Sequence, residues 1–142
     1  MKTLEQWFAE YGESHQNRTN QAIHKVCVPL IFFSVVGFLL LIPYSLGPIR
    51  AGELIIALAL GWYLTLGPKA FVLMFAQLLV CYAAFYAMGH VAYQLIPLLV
   101  IFVLAWIGQF VGHQIEGKKP SFFKDLQFLL IGPLWVLKGL LK

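Results

Sequence analysis

Three histidines lie in short polar stretches at the ends of apolar segments, where imidazole side chains could bind a metal ion. His15 and His24 share one such stretch near the N-terminus, and His113 follows a long apolar run near the C-terminus. Polar side chains near membrane depth are costly unless they serve a function. Neutral imidazole is a good ligand for zinc, iron, copper and nickel. The pattern favours a metal site, with hydrogen-bonded histidines at helix ends as the alternative.

The polar residues around His113 are spaced so that they share one helical face. Gln109, His113 and Glu116 fall at i, i+4 and i+7, a spacing that lines one side of an α-helix at the end of an apolar run. Two histidines and one carboxylate, with open positions, are the ligands of non-haem iron(II) oxygenases. Gln109 is of the type that orients such ligands or holds water and substrate. A simple ion pair between Glu116 and a nearby lysine is the alternative.

The N-terminal polar stretch requires a break in its helix. Asn17, Asn20 and His24 fall at i, i+3 and i+7 on one face, and both asparagines are candidate supporting residues. His15 lies nine residues before His24, which is the opposite side of a continuous helix. Both imidazoles can face one centre only if the chain breaks near residues 15–17. Asn17 or Thr19 as the N-cap of the following helix would supply that break.

The composition of the chain indicates an integral membrane protein. Of its 142 residues, 61% are hydrophobic and 11% are charged, whereas soluble domains carry about 25% charged residues. The length favours a single membrane-embedded domain over residues 1–142. Cys27 and Cys81 lie in apolar segments outside any motif and are expected to be reduced. Membrane lipids are the expected surroundings, and no nucleic-acid partner is expected.

The apolar segments predict an all-α fold with about four transmembrane helices. Each of the four approaches the ~20 residues that a span needs, although the second is short. An amphipathic helix at the membrane surface is predicted before them at 3–14, from apolar residues at helical spacing. A broken apolar segment after them, 126–141, is predicted to be interfacial or re-entrant. The predicted spans are 26–42, 52–66, 70–88 and 93–111.

The distribution of lysine and arginine predicts the topology. Basic residues concentrate before the first span and after the fourth, so the positive-inside rule makes both termini cytoplasmic. His15, His24 and His113 then lie at the cytoplasmic interface, and His90 lies at the other face, roughly 30 Å away. The membrane is the bacterial inner membrane, or the endoplasmic reticulum in a eukaryote. The basic residues concerned are Lys2, Arg18, Lys25, Lys118, Lys119, Lys124, Lys138 and Lys142.

Two motifs resemble those of the Mpo-type 2-hydroxy fatty acid dioxygenases. The first reads Tyr11-x3-His15-x-Asn17-x2-Asn20-x3-His24, followed by Pro29. The second reads Trp106-Ile-Gly-Gln109-Phe-Val-Gly-His113, followed by Glu116-Gly-Lys-Lys-Pro120. The motifs bracket the spans, so the resemblance covers nearly the whole chain. Together they are more specific than either is alone.

The resemblance implies an iron(II)-dependent dioxygenase of fatty acid α-oxidation. Its substrates would be O2 and a 2-hydroxy long-chain fatty acid, and its products carbon dioxide and the acid that is one carbon shorter. By position, His15, His24 and His113 would bind the iron. Glu116 would be a fourth ligand or a base, supported by Asn17, Asn20 and Gln109. A positive side chain would balance the substrate carboxylate, the candidates being Arg18, Lys25 and Lys118.

Two other functions are compatible with the residues. A zinc-dependent membrane lipid hydrolase would use the same ligands to activate water and would need no oxygen. A non-catalytic scaffold or small transporter would use the histidines as caps and hydrogen-bond partners. Against a transporter, no charged residue lies at the midpoint of a predicted span. The dioxygenase is preferred to both.

Overall fold

The computed structural model describes residues 2–89 and 93–141, and this part of the chain is almost entirely helical. The predicted all-α class is therefore confirmed. A short β-hairpin connects two of the helices, and 3-10 turns lie on either side of the last one. The elements are α1 (Leu4–Gly12), α2 (Arg18–Leu40), β1 (Ser45–Leu46), β2 (Ile49–Arg50), α3 (Ala51–Thr65), α4 (Pro68–Ala87), α5 (Leu95–Glu116), a 3-10 turn (Ser121–Phe123), α6 (Phe128–Val136) and a 3-10 turn (Lys138–Leu141).

Three of the helices are long and apolar enough to cross a membrane. They are α2, α4 and α5, with 23, 20 and 22 residues. Helix α3 is equally apolar in character but has only 15 residues. At 1.5 Å per residue it extends about 22 Å, against the roughly 30 Å of a hydrocarbon core. All four predicted segments are thus helical, while the count of four spans stays a prediction.

Two residues used in the topology prediction, His90 and Lys142, lie outside the described residues. The assignment of His90 to the opposite membrane face therefore stays a prediction. The chain divides into two compact units, one of residues 31–103 and one of residues 1–30 and 104–142. The prediction of one embedded domain is not tested by that division.

The unit of residues 31–103 is held together by apolar packing. Helices α3 and α4 lie side by side. The chain turns between them at Gly67, whose backbone φ of 124° is readily adopted by glycine and disfavoured for other residues. Pro68 is the first residue of α4. Gly52 packs so closely on the Leu39 carbonyl that a Cβ there would overlap it. The core is formed by Val36, Leu40, Ile56, Leu78, Cys81, Phe85 and Leu98.

The other unit begins with the amphipathic helix that the sequence predicts. Thr3 caps α1 by a capping box with Gln6, in which each side chain bonds the other residue's backbone N–H. The buried face of α1 packs against α6: the Trp7 ring meets the edge of Phe128 at a centroid distance of 5.1 Å. Tyr11 on the same face lies 5.2 Å from Trp135. The apolar stripe of α1 is therefore covered by protein.

Helix α6 is the C-terminal segment predicted to be interfacial or re-entrant. Its nine residues extend about 13 Å, too short to cross a bilayer. Six of the nine are buried, among them every residue from Ile131 to Trp135. Helix α6 thus forms part of the interior of this unit, above Tyr11.

Candidate metal centre

His15, His24 and His113 meet in the interior of the unit that contains both termini. His15 lies in the connection between α1 and α2, His24 lies on α2, and His113 lies in the last turn of α5. Their side chains offer ligand nitrogens that all lie within 4.8 Å of one another. The three residues are 1%, 0% and 5% exposed. The three histidines singled out in the sequence are therefore brought to one buried centre.

The predicted break between His15 and His24 is present, and Asn17 produces it. Helix α1 ends at Gly12 and α2 begins at Arg18. The Asn17 side-chain oxygen accepts hydrogen bonds from the backbone N–H groups of Thr19, at 2.8 Å, and Asn20, at 3.3 Å. These are the contacts of an N-cap residue. Of the two caps considered, Asn17 is the one used.

The His15 imidazole is oriented by the helix turn before it. Its Nδ1 lies 2.6 Å from the carbonyl oxygen of Tyr11, to which it donates its hydrogen. The Tyr11 ring stacks on the imidazole with centroids 4.1 Å apart and planes 6° apart. With the hydrogen on Nδ1, the other nitrogen, Nε2, carries a lone pair. Among the described residues that buried Nε2 has no hydrogen-bond partner.

Burial also sets the charge of His15. Desolvation lowers the pKa of this imidazole from 6.5 to about 3, so the ring is neutral at physiological pH. The neutral form is the one that binds metals. A buried, neutral imidazole with an unused lone pair is the first indication that the cluster could hold an ion.

His24 repeats this arrangement on α2. Its Nδ1 donates to the Asn20 carbonyl at 2.9 Å, which leaves a lone pair on Nε2. That Nε2 lies 3.2 Å from Nε2 of His113. The Gln109 side chain, one turn before His113 on α5, is buried. Two imidazoles thus have their tautomers fixed by backbone carbonyls and direct Nε2 toward a common point.

The donor set fits a transition-metal ion. Metal-binding histidines usually donate their second ring N–H to a carbonyl or carboxylate, which fixes tautomer and orientation. His15 and His24 do so through Tyr11 and Asn20. Imidazole nitrogens suit zinc, iron, copper and nickel, so the identity of the metal does not follow from the histidines.

Glu116 lies beside the cluster and binds the chain that carries His15. Its carboxylate accepts hydrogen bonds from the backbone N–H of Gln16, at 2.9 Å, and of Asn17, at 2.8 Å. The Asn20 amide donates to it as well, at 3.1 Å. Among the described residues, the group of potential metal ligands consists of the three histidines and does not include Glu116. These contacts indicate that Glu116 fixes the α1–α2 connection, while direct ligation stays a prediction.

Close approach of α2 and α5 near the cluster depends on glycine. A Cβ at Gly112 would overlap the Asn20 side-chain oxygen, and one at Gly108 would lie 2.5 Å from Sγ of Cys27. Small residues at helix contacts allow backbones to approach closely in membrane proteins. His113 follows Gly112 directly, so this contact sets how near His113 comes to His24.

A comparison with known protein families identifies the family of the chain. A family model described as "2-hydroxy-palmitic acid dioxygenase Mpo1-like" matches residues 1–142. The chain belongs to the Mpo1-like family. The resemblance stated from the two motifs is thereby confirmed over the whole chain. No curated protein and no solved structure matches the chain.

The candidate carboxylate-binding residues of this Mpo1-like chain lie around the centre rather than in it. Arg18 and Lys25 are exposed on the first turns of α2. Lys118 is exposed just after α5, and its Nζ donates to the Glu13 carbonyl at 2.8 Å. Their predicted role in substrate binding is not tested by these positions.

Several residues of the site have no signal in the sequence of this Mpo1-like chain. Trp135 on α6 lies 5.3 Å from the His15 ring, although it is far away along the chain. Ser14 contacts Nδ1 of His15 at 3.2 Å and also bonds Ser121. The Trp135 contact arises because α6 folds over α1, and the Ser14–Ser121 contact joins residues 107 positions apart, so no local spacing predicts either. Tyr11 had a signal, its position four residues before His15, but only as part of the first motif.

Proposed function

We propose that this protein is an iron(II)-dependent dioxygenase that shortens 2-hydroxy long-chain fatty acids by one carbon. The reaction converts the hydroxy acid and O2 into the shorter fatty acid, carbon dioxide and water. The observation that supports it most directly is the buried cluster of His15, His24 and His113 in a chain of the Mpo1-like family. Three neutral imidazoles leave coordination positions for substrate and oxygen.

The residues of the chain would bind the metal, orient the imidazoles and cover the cluster. His15, His24 and His113 would hold the metal, which supplies oxygen activation when bound. The carbonyls of Tyr11 and Asn20 keep the first two imidazoles in the binding tautomer. Tyr11 and Trp135 cover the His15 side of the cluster with aromatic rings. This covering limits the access of water to the reacting groups.

The position of the cluster along the chain suits an amphiphilic substrate. His24 and His113 both lie near the end of a helix long enough to cross a membrane. At such an end the headgroup of a fatty acid meets the protein while its chain stays in the lipid. We propose that this end faces the cytoplasm, with both termini on that side, because of the basic residues near the termini.

The test is product formation by protein purified without oxygen. The protein is loaded with iron(II) in a non-ionic detergent and given O2 and 2-hydroxypalmitic acid. We expect the fifteen-carbon acid and carbon dioxide in equal amounts, with matching oxygen uptake. The His113→Ala variant should form neither, and His90→Ala, a histidine of the same chain outside both motifs, should form both. Loss of activity in both variants, or no product from the iron-loaded protein, would refute the proposal.

A zinc hydrolase is the second candidate, and the composition of the cluster favours it. Three histidines with an open fourth position are a common catalytic zinc site, and among the described residues the group of potential ligands includes no carboxylate. Bound zinc would activate water, so such an enzyme would hydrolyse a lipid ester or amide without oxygen. Activity that persists under argon with zinc and is absent with iron would select this candidate.

A further inference from the structure

A groove beside His113 has the dimensions and lining of a ligand site. Its volume is about 690 Å³, and its lining includes Phe110, His113, Lys118, Lys119 and Phe123. Small-molecule sites are commonly about 300–1,000 Å³ and combine apolar walls with a few polar groups. Because His113 is both a wall of the groove and a member of the histidine cluster, the groove adjoins the cluster at that residue.

The two lysines of the groove differ in their contacts. Lys118 is held by the Glu13 carbonyl, to which its Nζ donates at 2.8 Å. Lys119 is exposed and forms no ion pair within residues 2–89 and 93–141. The Lys118 ammonium group thus has one of its three hydrogens engaged by a backbone carbonyl, and Lys119 is the lysine of the groove without such a contact among these residues.

The apolar wall of the groove continues along α5. Phe110 and Phe123 are 45% and 63% exposed. Ile107 and Leu104 precede Phe110 by one and two turns of α5, and they are 53% and 62% exposed. A hydrocarbon chain that left the groove past Phe110 would thus keep apolar side chains beside it.

We infer that this groove binds the fatty acid substrate, with its carboxylate on Lys119 and the first part of its chain between Phe110 and Phe123. The inference rests on the proposed function and adds the binding site. In a 2-hydroxy acid the oxidised carbon adjoins the carboxylate. The cation that binds the carboxylate must therefore line the same cavity as a residue of the reaction centre. Lys118 and Lys119 meet that condition together with His113, whereas Arg18 and Lys25 do not line the groove. Lys119 is preferred because the Lys118 ammonium group is already bonded to the Glu13 carbonyl.

The test measures binding without turnover. Palmitic acid, which lacks the 2-hydroxyl group, displaces a fluorescent fatty acid from the full-length protein in non-ionic detergent. Hexadecanol serves as the uncharged ligand of equal length. Lys119→Gln should weaken palmitate binding about tenfold, because a charge-assisted hydrogen bond is lost, and should leave hexadecanol binding unchanged. Phe123→Ser should weaken the binding of both ligands.

Lys124→Gln is the matched control. Lys124 is an exposed lysine of the same connection, paired with Glu13 at 3.3 Å and absent from the groove lining. It should leave the binding of both ligands unchanged. Equal effects of the two lysine variants, or a Lys119→Gln effect on hexadecanol as large as that on palmitate, would overturn the groove assignment.

The binding experiment and the turnover experiment can succeed or fail independently of each other. Selective loss of palmitate binding in Lys119→Gln, without turnover of 2-hydroxypalmitate by the wild-type protein, supports the groove and refutes the dioxygenase. Turnover with unchanged palmitate binding in Lys119→Gln refutes the groove and supports the dioxygenase. With both correct, Lys119→Gln raises KM for 2-hydroxypalmitate about tenfold, while kcat stays within about twofold of wild type.

Discussion

The Nε2 atoms of His24 and His113 lie 3.2 Å apart, one on α2 and the other on α5. Because His24 donates its Nδ1 hydrogen to the Asn20 carbonyl, its Nε2 presents a lone pair to His113. With its hydrogen on Nε2, His113 donates a hydrogen bond to this lone pair; with its hydrogen on Nδ1, the two lone pairs face each other and would share a metal ion. His15 contributes a third imidazole, whose ring centroid lies 4.4 Å from that of His24.

We expect His24→Ala and His113→Ala to abolish tight metal binding. Each removes one of three nitrogen ligands, and even the loss of a residue that only orients a ligand costs about 10–100-fold in affinity. Metal content after dialysis, measured by mass spectrometry, should fall below about a tenth of the wild-type value. His90→Ala should retain the wild-type content. Full metal occupancy in His24→Ala would exclude His24 as a ligand, and full occupancy in His113→Ala would exclude His113.

The N-cap of α2 should contribute measurably to stability. Asn17→Ala removes the acceptor for the Thr19 and Asn20 N–H groups, which should lower the unfolding free energy by about 1 kcal/mol. Asn17→Ser preserves a capping oxygen and should recover most of this loss. Thermal unfolding in detergent, followed by circular dichroism, gives the comparison. Thr19→Ala is the control, because Thr19 is the candidate N-cap that the chain does not use. An equal loss of unfolding free energy in Thr19→Ala would contradict the assignment of Asn17 as the N-cap.

Much of the centre could be predicted from the sequence because its ligands lie at regular helical spacings. The nine-position separation of His15 and His24 predicts a break in the helix, and Asn17 is one of the two residues predicted to make it. The all-α class is predicted for a different reason, namely the length of the apolar segments. Spacing and segment length are both local properties of the sequence, so both can be predicted from it.

The contacts of α6 could not be predicted in this way. Trp135 reaches His15 because α6 folds back over α1, and neither helix carries a spacing that specifies its partner. Glu116 is predicted as a possible ligand, and that role stays a prediction. The structure adds a second role, because the Glu116 carboxylate accepts hydrogen bonds from the N–H groups of Gln16 and Asn17. These partners lie about a hundred positions apart in the chain, so no local spacing predicts the contact.

Replacement of Glu116 should separate positioning from ligation. Glu116→Gln removes the negative charge that two backbone N–H groups and the Asn20 amide share. Hydrogen bonds to charged groups contribute about 1.5–3 kcal/mol, so we expect a stability loss of about 2 kcal/mol. The metal should still bind at full stoichiometry, with an affinity weakened about tenfold.

The measurements are metal titration and thermal unfolding on the same preparations. Glu10→Gln is the control, because Glu10 pairs with Lys2 on the surface at 2.7 Å, and an exposed pair contributes about 0–1 kcal/mol. Direct ligation by Glu116 would appear as a changed ligand-field spectrum of a cobalt(II)-substituted protein. An unchanged spectrum together with the lower stability would assign Glu116 to positioning.

Gly112→Ala should disturb the centre through the distance between α2 and α5. The added methyl group would overlap the Asn20 side-chain oxygen, and overpacking of this kind costs about 1–3 kcal/mol. Asn20 also supplies the carbonyl that orients His24 and the amide that bonds Glu116. We therefore expect both a lower unfolding midpoint and a weaker metal affinity.

Gly61→Ala on α3 is the matched control. Among the described residues, no atom outside its own stretch of helix lies within 4 Å of the added Cβ, and alanine is favoured over glycine in a helix by about 1 kcal/mol. That variant should be as stable as wild type or more so. If Gly112→Ala behaves like Gly61→Ala in both measurements, then close contact at Gly112 does not determine the position of His113.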